Sequence, residues 1–262
     1  MYAFELARPT TLADASAILT QSGGKALAGG QSLVGAMKLR LAQPGTLVDL
    51  SGIAELKGIR KEGDALVIGA MTRHAEIAAS SVVRSTISVL AAVAHGIGDR
   101  QVRNMGTIGG ALANNDPAAD WPAAVLALGA TVQTNKRKIA ADDFFKGMYE
   151  TALAADEIIT AVSFPVPKKA AYCKFPSPAS RLALTGVLVA QTGAGVRVAV
   201  TGAGAPGGRA VSRSAHQARP ARSRRSVAGN ACNAAVTATA GLPAISRGPL
   251  ENRLADGRCS GS

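Results

Sequence analysis

Two glycine-rich segments carry the clearest chemical signal in the chain: Ala28-Gly29-Gly30-Gln31-Ser32 and, about 80 residues later, Gly106-Thr107-Ile108-Gly109-Gly110. Each offers successive backbone N–H groups with no side chain in the way. Glycine tolerates positive φ and lets a ligand approach the backbone closely. Consecutive N–H groups at such a turn form a concavity suited to a pyrophosphate, and Ser32 and Thr107 each place a hydroxyl beside a glycine pair. Two ordinary tight turns would use the same residues, so the glycines alone leave both readings open. Other candidates are isolated. His74, His95 and His216 lack metal-ligand spacing. The scattered, odd-numbered cysteines Cys173, Cys232 and Cys259 make neither a disulfide framework nor a metal cluster, and fit a reducing cytoplasm.

The elements that must position these turns follow from periodicity. Thr10 or Thr11 can cap a helix with Leu12, Ala15, Ile18 and Leu19 on one face, ended by Gly23-Gly24. Ala26 to Ala28 read as a strand running into the first glycine turn, Ala36 to Leu41 as a helix stopped before Pro44, and Leu47 to Leu50 as a strand. Ala65 to Met71 predict a strand, Thr72 the N-cap of a helix through Ala79, and Ser81 to His95 one longer helix. Gly96 to Gly106 read as a loop, Ala118 to Leu128 as a helix, and Ala130 to Thr134 and Glu157 to Phe164 as strands. Pro165 and Pro167 mark a boundary, beyond which Ala183 to Ala190 and Val196 to Thr201 suit a hairpin. The expected divisions are 1–60, 61–167, 168–205 and 206–262.

Composition narrows the class. With 262 residues, 47% of them apolar, the chain can bury a sizeable core and is not wholly disordered. No apolar run reaches the ~18 residues that span a bilayer, and Met1-Tyr2-Ala3-Phe4-Glu5 does not read as a secretory signal. The net charge of +12 is uneven: residues 206–262 carry nine arginines, no lysine and two acids, a balance of +7 against +5 for residues 1–205. Gly202-Ala203-Gly204-Ala205-Pro206-Gly207 formally matches a dinucleotide fingerprint. Pro206 and the residues after it offer no apolar helix face, and no acid lies in 220–232, so no Rossmann site is expected there.

With their flanks, the two turns resemble a known family. Leu27-Ala28-Gly29-Gly30-Gln31-Ser32-Leu33, then Met37-Lys38-Leu39-Arg40, Pro44 and Leu47-Val48-Asp49-Leu50, resemble the first FAD-binding segment of the flavin subunit of molybdenum hydroxylases. That family includes the medium subunit of aerobic carbon monoxide dehydrogenase and the flavin domain of xanthine dehydrogenase. Gln101 to Gly110, followed by Asp116-Pro117 and Asp120-Trp121-Pro122-Ala123, resemble the second segment. The likeness covers residues 1 to about 204.

The resemblance implies an α+β fold: a two-subdomain FAD-binding fold of the PCMH and vanillyl-alcohol-oxidase type, then a C-terminal sheet domain that is incomplete or aberrant here. By position, Ala28, Gly29, Gly30, Gln31, Ser32 and Leu33, with Thr107, Ile108, Gly109, Gly110 and Ala111, would wrap the FAD diphosphate and ribityl chain, mainly through backbone N–H groups. Asp120 would accept from the adenosine ribose or a nearby hydroxyl, Ile159 would meet a ring system of the cofactor, and Lys174 would lie near the flavin end. As residue types, Asp120 also suits a helix start and Lys174 a solvated surface. Ala111 departs from the family's usual Asn or Asp. The resemblance further implies FAD in this chain, molybdenum–molybdopterin in a large partner subunit and [2Fe–2S] clusters in a small one, assembled as a dimer of heterotrimers. The chain would be a cytoplasmic electron-transfer subunit passing electrons to an external acceptor.

Two other classes compete. A self-contained flavin-dependent oxidase would need an acid–base domain for which three His and three Tyr leave little room. A non-enzymatic, basic nucleic-acid-binding protein rests on the clustered Arg219, Arg222, Arg224 and Arg225, but no aromatic follows Phe175 to stack on bases. Residues 206–262 depart from the family's helix-rich continuation. Their Arg/Ala/Ser/Gly/Pro composition reads like a high-GC gene translated out of frame.

Overall fold

Among the described residues three larger sheets follow one another along the chain, with a two-stranded ribbon inside the second, and the glycine turns lie between their strands and helices. The computed structural model describes residues 1–202 and 211–212, all within the first of two units, Met1–Ser223. The GxGxxG-like stretch from residue 203 onward, His216, Cys232, Cys259 and the arginine-rich tail lie outside the described residues.

β1 (Glu5–Ala7), α1 (Leu12–Ser22), β2 (Lys25–Leu27), α2 (Leu33–Lys38) and β3 (Thr46–Asp49) form the first layer, a parallel sheet in the order β1-β3-β2. α1 begins and ends as its residues dictate. Thr11 Oγ1 accepts from Asp14 N at 3.1 Å, and Gly23, at φ 59°, returns its N–H to Leu19 O. Ala15 and Leu19 pack with Val48, Leu50, Ile53 and Leu56, joined by Met71 and Ile158 from the next layer. α2 starts a turn earlier than periodicity predicts. The glycine turn itself nucleates the helix, through Val34 N to Gly30 O and Ala36 N to Ser32 O.

β4 (Ile59–Glu62) and β5 (Ala65–Gly69) open the second layer. α3 (His74–Ala79), α4 (Ser81–Thr86), α5 (Ser88–His95), α6 (Arg100–Met105), α7 (Ile108–Asn114) and α8 (Asp120–Leu128) follow. β6 (Thr131–Thr134), β7 (Lys138–Ala140), α9 (Ala141–Phe144), β8 (Phe145–Gly147), β9 (Glu150–Thr151) and β10 (Ile159–Pro165) complete it. The antiparallel sheet runs β4-β5-β10-β6-β7. Every residue of α8 is buried, Trp121 fully so, as expected of a helix that is apolar all round after its first residue, Asp120.

Local differences from the sequence reading have local causes. Thr72 does not cap α3, because its hydroxyl is spent on the Gly58 N–H and C=O. The single helix expected over 81–95 breaks at Ile87 (φ −140°, ψ 76°). The loop expected over 96–106 contains α6, capped by Asp99 Oδ1 accepting from Val102 N at 2.8 Å.

The third layer is β11 (Lys169–Pro176), β12 (Ala183–Thr192), β13 (Gly195–Thr201) and β14 (Val211–Ser212), antiparallel in that order. β12 and β13 form the predicted hairpin. One face, with Leu188, Ala190 and Ala199, closes over α8, and Thr201 Oγ1 donates to the carbonyls of Pro117 and Ala119 just before that helix. α8 is therefore covered on both sides.

Candidate functional site

β2 delivers Leu27 to the first turn, where Gly30, at φ +72°, swings the chain into α2. Among the described residues, the backbone N–H groups of Gly29, Gly30, Gln31, Ser32 and Leu33 meet no protein acceptor. Gln31 and Ser32 are exposed and the glycines half-buried. Five successive open donors on one turn form a concavity for an anion.

The second turn is built differently. Thr107 Oγ1 accepts from Gly110 N at 3.2 Å and so caps α7. Ile108 N donates to Thr72 O, Gly109 N to Ala70 O at 2.8 Å, and Ala111 N to Thr107 O. The donors expected over 108–111 are thus engaged inside the protein. Here the structure departs from the expectation that both turns bind mainly through N–H groups: residues 108 and 109 spend theirs on docking against the end of β5, and residues 110 and 111 spend theirs on Thr107 in the first turn of α7. Gly109 permits that docking, since a Cβ there would stand 2.6 Å from Ala70 Cβ.

The two turns abut. A Cβ on Gly29 would stand 2.1 Å from Met105 O and 2.8 Å from Gly106 Cα, and one on Gly110 would stand 3.2 Å from Ala28 Cβ. Backbone meets backbone at that seam, which only glycine allows.

Asp120 and Lys174, expected at separate ends of a cofactor, are brought together. Asp120, at the start of α8, accepts from the Tyr172 hydroxyl at Oδ1 and from Lys174 Nζ at Oδ2, 3.0 Å. Lys174 Nζ also donates to Gly96 O at 3.0 Å, with side-chain exposures of 9% for Lys174 and 3% for Asp120. Burial holds the Asp120 carboxyl above its ordinary value even though both donors favour the charged form. Burial, with the Asp120 charge beside it, pushes the Tyr172 hydroxyl up. Ile159 lies at the start of β10, buried in the second layer's core, and its neighbour Thr160 accepts from Ala70 N through its carbonyl.

Tyr172, His74 and Trp121 escaped the sequence reading as site residues. Tyr172 had a signal, because it shares a strand face with Lys174 two positions on. His74 Nδ1 accepts from Trp121 Nε1 at 3.1 Å across 47 residues, a pairing with no local signature.

The open donors of the first turn and the close seam fit the diphosphate of a dinucleotide. Residues 2–167 match the family described as FAD binding domain in molybdopterin dehydrogenase. The chain is 44% identical over 170 residues to the carbon monoxide dehydrogenase medium chain of Afipia carboxidovorans, covering 63% of this chain and 59% of that one. It is 40% identical over 212 residues to the nicotine 6-hydroxylase medium subunit of Paenarthrobacter nicotinovorans, covering 77% and 75%. The fold superposes on carbon monoxide dehydrogenase from Hydrogenophaga pseudoflava with a TM-score of 0.75 and 38% identity, over 79% of this chain and 77% of that one. The match thus spans somewhat under two thirds of the first of these relatives. An FAD-binding fold with this seam and this sequence likeness places the chain in the family of FAD-binding domains of molybdopterin dehydrogenases.

Proposed function

We propose that the chain is the FAD-bearing medium subunit of a molybdenum hydroxylase-type dehydrogenase, working in the cytoplasm. A large subunit with molybdenum–molybdopterin would oxidise the substrate, and a small subunit would relay electrons through [2Fe–2S] clusters, the whole assembling as a dimer of heterotrimers. Bound FAD supplies reversible two-electron storage between those clusters and an external acceptor. The observation that carries this reading is the seam itself: Gly29 packed on Met105 and Gly106, with five open N–H groups beside it.

The chain's own residues would bind and orient. The N–H groups of 29–33 would hold the diphosphate, with Ala28 lining the turn. Gly110 and Ala111, half-buried, would form the opposing wall by contact, and Thr107, Ile108 and Gly109, buried behind them, would hold that wall in place. Asp120 and Lys174, fixed by Tyr172 and Gly96 O, would present one preorganised polar pair, and Ile159 would support the cofactor from the core. Among the described residues no helix is long and apolar enough to cross a membrane, and no cluster of metal-ligating side chains occurs.

The test is a visible spectrum of the purified full-length chain, with isolation of its partners. Flavin absorption together with a copurifying molybdenum-containing chain is the expected result. A colourless protein that takes up no FAD would overturn the reading. Flavin without any partner, but with substrate oxidation by the chain alone, would favour the self-contained oxidase.

A further inference from the structure

His74 is the buried titratable group to which the flavin reading gives no task. It opens α3 and is 4% exposed, and two contacts tie it to the second turn. Its backbone N–H donates to Gly106 O at 2.9 Å. Its ring edge lies so close to Gly106 that a Cβ there would stand 2.8 Å from Nε2 and 2.9 Å from Cδ2. At its other ring nitrogen, Trp121 Nε1 donates to Nδ1 at 3.1 Å, with ring centroids 6.0 Å apart. A nitrogen that accepts cannot carry the ring proton, so the neutral imidazole bears it on Nε2. Gly106 is also the residue whose Cα stands 2.8 Å from the place of a Gly29 Cβ. Trp121, His74, Gly106 and Gly29 therefore form a continuous stack from the buried helix α8 to the open donors of the first turn. Arg103 is the charged group that acts on the ring, and burial, then that guanidinium, lowers the imidazole to about 4. At neutral pH the ring is uncharged and both links hold.

We propose that His74 is a positioning residue of the dinucleotide site: held by Trp121 in its Nε2–H form, the ring sets how closely Gly106 approaches Gly29, and so how the five N–H groups of the first turn are presented. The proposal rests on the flavin reading for its ligand, while the tautomer and the spacing can be read without any cofactor.

A size exchange in the full-length chain, with FAD as probe, tests it. Gly106→Ala puts a methyl into the space of the ring and should weaken FAD binding about 10-fold, the scale of overpacking in a close-packed site. His74→Ala alone should weaken it about 3- to 10-fold, the scale of one lost hydrogen bond. The double variant should bind better than Gly106→Ala alone, because the methyl then fills the vacated space. Simple addition of the two losses overturns the proposal.

Should Gly106→Ala not fold, Trp121→Phe removes the N–H donor and keeps an aromatic ring. Its FAD affinity should fall about 3- to 10-fold and His74 should lose its single tautomer. Long-range 1H–15N spectra of the wild type should show the Nε2–H form at neutral pH, titrating near pH 4. An Nδ1–H form, or titration near 6.5, overturns the proposal. If the wild type shows the expected tautomer and the Gly29 amide signal shifts across the size-exchange variants, yet the wild type takes up no FAD, the flavin reading sinks and the spacing role of His74 stands.

Discussion

Asp120 accepts from Tyr172 and Lys174 in a place where water hardly reaches. Removing one partner of a buried pair strands the other charge, at about 3–5 kcal/mol. Lys174→Met should therefore destabilise the chain on that scale at neutral pH. The sign of the pH dependence follows from Asp120, whose carboxyl already sits above its ordinary value. Without the ammonium it rises further, so the deficit is small in acid, where the carboxyl is protonated in both states, and grows as pH rises. Urea unfolding at pH 5 and pH 7.5 checks this, and equal deficits at both would contradict it. The resemblance singled out Asp120 and Lys174 one at a time, each from its motif or position. That they answer each other was not, because the partner of a charge is set by packing between α8 and β11.

Two glycines, one in the turn before α2 and one inside it, have different roles. At Gly29 a Cβ would collide with the Met105 carbonyl, a backbone atom that cannot swing aside. Gly29→Ala should open the seam, costing about 1–3 kcal/mol of stability and about 10-fold or more in FAD affinity. Gly35, six residues on in α2, has nothing within 4 Å of its Cβ position. Gly35→Ala should instead stabilise α2 by about 0.5–1 kcal/mol through helix propensity. Thermal melts and FAD titrations of the two variants give the comparison, and similar behaviour would mean that the seam is not close-packed. α1, with its Thr11 cap and Gly23 stop, and the β12–β13 hairpin were readable in advance, since their signals lie within a few residues. Thr72 misled, because its hydroxyl is claimed by Gly58 across a strand pair, and the break at Ile87 has no glycine or proline to announce it.

Stability of the whole chain should respond to acid in two overlapping stages. His74 falls from 6.5 in the unfolded chain to about 4 when folded. Its neutral, buried state thus favours folding fully above pH 6.5, and that advantage, roughly 3 kcal/mol, is lost as pH falls toward 4. Glu157 comes next. Its carboxylate accepts from Arg137, Thr134 and Ala154 N, joining the β6–β7 turn to the approach of β10, and is held down to about 2. Its contribution is present above pH 4.5 and fades toward 2. Melting temperature followed from pH 7 to pH 3 should fall already above pH 5, and a flat profile down to pH 4 would refute the His74 part.

The residues by themselves determined what depends on neighbours in the chain: where α1, α8 and the β12–β13 hairpin run, and where glycine lets the backbone turn. Which turn keeps its donors was decided only in three dimensions. Ile108 and Gly109 find their acceptors on Thr72 and Ala70, more than 30 residues upstream, whereas 29–33 find none. A backbone N–H looks the same in both segments until the sheet edge that consumes it is in place, and that edge is assembled by contacts the linear order does not contain.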